Sequence, residues 1–160
     1  MFIKALCIVA ILVSAPLYAQ DYQLEFFREF IEKDDPDTLD YWYTHGEACP
    51  WSESEGTEVI TGVLKRSRVL PTQGLGKANG VYLFAKSTCL ELAHEFGFAV
   101  NFYVVFGEVG DKGSIVYDKD YGGLGSGAPD DKRFFLDSLR SSVEAAVTDF
   151  IEVNFLLDDQ

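Results

Sequence analysis

Residues 98–109 read FAVNFYVVFGEV, and this stretch decides the fold. Val100, Phe102, Val104 and Phe106 alternate with Asn101, Tyr103 and Val105. Successive side chains of an extended chain point to opposite sides, so this period of two predicts a pleated strand with one deeply buried face. Working outward, residues 81–92 and residues 57–70 also carry strand character, being rich in Val, Leu, Tyr, Phe and Thr. Gly74–Gly80 reads as a loose hairpin between those two, and Glu95-Phe96-Gly97 as the turn into 98–109. Gly110–Gly113 is a further turn, followed by a short fourth strand over 114–118. Antiparallel pairing across the first loop would set residue numbers summing to roughly 151 opposite each other, and so bring Cys89 to the neighbourhood of Gly62.

A sheet with an apolar face needs a cover, and the chain supplies two amphipathic segments. Residues 130–156 place Leu136, Leu139, Val143, Ala146, Phe150 and Val153 at alternating steps of three and four, the stripe of a long C-terminal helix. Pro129, Asp130 and Asp131 suit its start by fixed dihedral and by charge against the helix dipole. Residues 22–33 repeat the pattern with Leu24, Phe27 and Ile31, and Asp34-Asp35-Pro36 ends that shorter N-terminal helix. The expectation is an α+β domain with an antiparallel sheet of about four strands (57–70, 81–92, 98–109, 114–118). The helix over 130–156 covers it, with the short helix over 22–33 beside it. Residues 37–57, with Tyr41, Trp42, Tyr43 and Trp51 among Gly, Pro and acids, read as an irregular connection anchored by aromatics. Gly122–Gly127 reads as a flexible link ahead of the last helix, and Asp118 and Asp120 there only echo a calcium loop, since Pro129 stands where its bidentate acid belongs.

Residues 1–19 read as a secretory signal peptide. Lys4 supplies the positive start, Ala5–Val13 the apolar core, and Ala15-Pro16-Leu17-Tyr18-Ala19 a helix break ending on a small residue. The apolar run falls short of the ~20 residues that span a bilayer, which argues against a retained anchor. Removal of residues 1–19 from the 160 leaves 141, a length that favours one domain over 20–160. Of 13 basic residues only Lys4 is lost, so 12 stand against 26 acids, a formal charge of −14. Such a field repels nucleic acid and anionic membrane surfaces, while 48% hydrophobic and 14% aromatic residues supply ample core. The sequence predicts a secreted or periplasmic protein with neither nucleic acid nor, after cleavage, a membrane as partner.

Cys49 and Cys89 are the two cysteines left after cleavage, and in an oxidising compartment they are expected to bridge. That expectation bears on the most tempting chemical cluster. His45, Glu47 and Cys49 alternate, so an extended backbone points all three to one side, and His94 could complete a zinc or copper set. His-Gly-Glu also matches half of the zinc deaminase signature, but the Pro-Cys-x-x-Cys half is absent. A bridged Cys49 leaves the ligand set. Hydrolase chemistry would use His45 or His94 as base with Glu47 or Ser52 as its partner, without a Gly-x-Ser-x-Gly elbow or a His-Glu-x-x-His helix to support it.

With no metal, cofactor or catalytic residue specified, the reading is a non-catalytic binding or accessory domain of inhibitor or immunity type, with a protein partner. Its candidate contacts are Trp42 and Trp51 in the aromatic segment, and Arg66 and Arg68, which would share a strand face with Lys86 close by. The last helix is a candidate homodimer seam. The alternative is a small secreted hydrolase or metal-binding protein using His45, Glu47 and His94.

Overall fold

The computed structural model describes residues 29–75, 80–92, 97–110, 113–128 and 130–156. The predicted signal peptide, residues 22–28 of the predicted first helix, and His94 lie outside them. In chain order the elements are β1 (Thr38–His45), α1 (Glu53–Arg66), β2 (Leu70–Gln73), β3 (Val81–Leu92), β4 (Gly97–Gly110), β5 (Gly113–Val116), β6 (Gly123–Gly127) and α2 (Lys132–Ile151). A π-helical turn over Glu152–Leu156 continues α2, and residues 29–31 are helical. The fold is mixed α+β, with a six-stranded sheet ordered β2-β1-β3-β4-β5 and β6 also paired to β4.

The hairpin of β3 and β4 is the centre, antiparallel and in unbroken register from Val81↔Glu108 to Leu92↔Gly97. Val100, Phe102, Val104 and Phe106 are all buried on one face, as their alternation requires. The C-terminal helix also takes the role its stripe dictates. Phe135, Leu139, Val143, Ala146, Val147 and Phe150 are buried, with Phe150 stacked on Phe106 of β4 at 6.1 Å between ring centroids. That stripe is consumed inside the chain's own core.

Residues 57–70 are not a strand. Most of them belong to α1, which begins at a capping box: Glu55 N–H donates to Ser52 Oγ at 3.3 Å, and Ser52 N–H donates to Glu55 Oε2 at 2.9 Å. Val59, Ile60, Val63 and Leu64 then fall on one helical face and are buried. Their β-branched character favours a strand locally, but burial of this face outweighs a propensity difference of a few tenths of a kcal/mol per residue. Strand character survives only at Leu70–Gln73. The hairpin register expected across residues 74–80 therefore does not form, and Cys89 pairs with Val100 instead of facing Gly62.

Residues 38–45 are not an irregular connection but β1, parallel to both β2 and β3. Parallel neighbours need a crossover, and α1 provides it between β1 and β2. Gly123–Gly127 is likewise a strand and not a link; it pairs antiparallel with the first half of β4, while β5 pairs with the second half. Between them Asp120 stands in for the missing backbone partner, its Oδ1 accepting from Val104 N–H at 3.0 Å and from Gly122 N–H at 2.8 Å. That use of the carboxylate is structural. Gly122 is required there, because a Cβ would lie 1.8 Å from the carbonyl oxygen of Phe102.

Candidate functional site

The sheet registers sort the strand residues onto two faces. One face holds Leu39, Tyr41, Tyr43, Leu83, Ala85, Val100, Phe102, Val104 and Phe106, all buried under α1 and α2. The other holds Asp40, Trp42, Tyr82, Phe84, Lys86, Tyr103, Val105 and Val116; no described helix lies over it, yet Asp40, Tyr82 and Val105 at its centre are buried and only its remaining positions reach solvent. On this open face Trp42 is 43% exposed, Leu70 62%, Leu90 67%, Val116 46% and Leu124 87%. Trp42 on β1 stands in register with Phe84 on β3, and Phe84 makes an edge contact with Tyr103 at 6.1 Å. Tyr82 lies flat across Gly107, where a Cβ would sit 2.5 Å from its ring, and its hydroxyl shares a hydrogen bond with Ser114. Glycine at 107 thus makes room for the buried Tyr82 ring.

Trp51, the second expected contact, lies on the other side. It is 4% exposed and stacked between Phe102 (5.9 Å) and Phe135 (5.8 Å), and its indole N–H donates to the Tyr43 hydroxyl at 3.1 Å. Tyr43 in turn shares a 3.0 Å hydrogen bond with the fully buried Ser87. Burial pushes the Tyr43 hydroxyl above its ordinary pKa. Of the two tryptophans, Trp42 is exposed and Trp51 is not.

The Cys49–Cys89 disulfide is present, with Cα atoms 5.0 Å apart and 40 residues of separation. It ties the turn after β1 to β3 beside Trp51, and so holds the start of α1 against the sheet. A bridged pair fits an oxidising compartment. His45 ends β1 among these groups, its ring 5.9 Å from Trp51 and 6.3 Å from Tyr43. Its Nε2 is buried and has no hydrogen-bond partner among the described residues. Glu47 sits exposed on the following turn, and Ser52 Oγ is occupied in the cap of α1. His94, which would have to converge with His45, lies outside the described residues. Among the described residues no group of three or more His, Cys, Asp or Glu is arranged to hold a metal ion.

Arg66 and Arg68 do not share a strand face. Arg66 is in the last turn of α1, and Arg68 follows it in a left-handed conformation (φ 62°) that closes the helix through Val69 N–H to Leu64 O at 3.0 Å. Arg66 pairs with Glu144 of α2 at 3.2 Å across a groove of about 330 Å³ lined by Glu55, Glu58, Val59, Leu136 and Arg140. Lys132 holds Glu55 at 2.7 Å at the same groove, and the hydrogen bond from Lys132 takes the Glu55 carboxyl down to about 2, helped by Ser52. These charges are already matched, and Lys86 is on the far side of the sheet from them. The basic cluster of the sequence is therefore split between two surfaces.

Among the described residues no helix is long and apolar enough to cross a membrane. No family model, no curated protein and no solved structure matches this chain.

Proposed function

We propose that this chain is an exported, disulfide-stapled, non-catalytic protein-binding domain that meets its partner on the open sheet face. The single observation behind this reading is the contrast at Trp42, a large aromatic held 43% exposed amid other exposed apolar side chains on one face. Exposed aromatic surface supports an interaction site, and tryptophan is among the residues most enriched in binding hot spots. Export to the periplasm or the cell exterior is supported by the signal-like residues 1–19 and by the disulfide. An inhibitor, immunity or accessory role is the form such a domain takes.

The test is site-specific photo-cross-linking in the native compartment, with the photoreactive side chain placed at Trp42 in one variant and at the α1 position Glu58 in another. The proposal expects a discrete protein adduct from position 42 and none from position 58. Equal labelling from both positions, or none from 42, would overturn it.

A further inference from the structure

We infer that the groove between α1 and α2 is a binding site for a free amino acid with an apolar side chain, held as its zwitterion. This site is separate from the sheet face of the proposed function and does not depend on it. The first support is the form of the groove. Glu55 of α1 pairs with Lys132 of α2, and Arg66 of α1 pairs with Glu144 of α2, so the two helices run side by side in the same direction. These two ion pairs tie the helices together across the groove. The groove encloses about 330 Å³, at the small end of the ~300–1,000 Å³ typical of ligand pockets.

The second support is the lining. Val59 and Leu136 supply its apolar part, Glu55 and Glu58 two carboxylates, and Arg66 and Arg140 two guanidiniums. Among the described residues Glu58 has no ion-pair partner. Arg66 gives Glu144 its Nη2, and Arg140 gives Asp137 its Nη1. A guanidinium carries five N–H donors, so both keep donors for a further carboxylate. Gly62 bears on where Arg66 lies. A Cβ at Gly56 would meet the Tyr43 ring within 2.5 Å, whereas a Cβ at Gly62 would meet only Arg66 Nη1, at 3.5 Å. Packing therefore requires the first of these helix-weakening glycines and not the second, over which the Arg66 side chain lies back along α1.

The third support is charge. The whole chain carries a net −13, yet among the six lining residues two acids meet two bases. An anion is repelled by the field of the protein and by the two carboxylates, and a cation by the two guanidiniums. A zwitterion is neutral overall and offers each sign its opposite. An α-amino acid presents ammonium, carboxylate and side chain from a single carbon, which matches a lining of acid, base and apolar surface.

The test is a titration of the isotope-labelled, oxidised protein with L-leucine, followed through its amide shifts by NMR. Leucine is expected to bind with a dissociation constant of about 1 to 5 mM, with shifts confined to α1 and α2. Two probes divide the ligand: 4-methylpentanoate, which is leucine without its amine, and 3-methylbutylamine, which is leucine without its carboxylate. Each is expected to bind about 10-fold more weakly, because one charge-assisted contact is lost. Glu58→Gln should weaken leucine by about 5-fold and leave 4-methylpentanoate unaffected. Arg140→Gln should weaken leucine by about as much and leave 3-methylbutylamine unaffected, with circular dichroism unchanged in both variants. A ligand this small leaves no protein adduct at position 58, so cross-linking from position 42 is decided independently. No saturation by about 50 mM leucine, shifts outside the groove, analogues that bind as well as leucine, or a leucine affinity indifferent to both substitutions would overturn the inference.

Discussion

The two faces of this sheet are drawn from the same strands at alternating positions, and they have been given opposite tasks. On the helix side Phe102, Val104 and Phe106 are at most 2% exposed; Phe102 stacks on Trp51, Trp51 on Phe135, and Phe106 on Phe150. On the open side Trp42, Leu70 and Leu124 have the same chemistry and remain exposed. Hydrophobicity alone therefore does not say which side becomes core. What decides the helix side is where the connections run: the α1 crossover and α2 both return on it, while on the other side only Asp40, Tyr82 and Val105 at the centre are buried and Trp42, Leu70 and Leu124 reach solvent.

The sharpest way to break the comparison is to truncate one side chain on each face. Phe106→Ala should cost about 3–5 kcal/mol, because it opens a cavity that close-packed neighbours cannot fill. Leu124→Ala, 87% exposed, should stay within about 0.5 kcal/mol. Urea midpoints at constant slope would measure both, and equal losses would mean that the open face is core after all.

Next in size is the staple. Replacing Cys49 and Cys89 together by Ala should destabilise by about 2–4 kcal/mol, since the bridge closes a loop of 40 residues. The loss should appear first as proteolytic cutting in the turn after β1, with the β3–β4 hairpin protected longest in amide exchange.

The smallest effect lies on the outer surface of the covering helices. The Glu55 carboxyl, held at about 2 instead of 4.5 by Lys132 and Ser52, is more acidic when folded than when unfolded. Its contribution is therefore fully present above about pH 4.5 and is lost as the pH falls toward 2. A carboxyl titration by NMR should show this depressed value and its partial return in Lys132→Met. An ordinary value in the wild type would show that the contact is not held in solution.

The covered face was also the more legible one in the sequence. Strand β4 and the α2 stripe could be read because burial on one side imposes a clean period on each. Residues 57–70 were misleading because Thr57, Val59, Ile60, Thr61 and Val63 favour strands locally; the contrary signal was Ser52-x-x-Glu55, a capping box at the head of that run. β1 was hidden by Trp42, an apolar side chain on the face opposite Leu39, Tyr41 and Tyr43 that turns their alternation into an aromatic run within a segment of Gly, Pro and acids. β6 offers three glycines in five residues and no pattern to read, and its place follows from pairing with β4 alone. The disulfide was legible from counting cysteines, Trp42 from its aromatic neighbourhood. The burial of Trp51 was not, because it depends on Phe102 and Phe135, distant in sequence and brought together only by the fold.

The chain holds two tryptophans, and they report on the two faces separately: Trp51 is 4% exposed within the covered face and Trp42 is 43% exposed on the open one. Quenching of tryptophan emission by acrylamide tests the account most directly. It predicts one emitter that is shielded, Trp51, and a second that is accessible, Trp42. Two tryptophans of equal accessibility would contradict it.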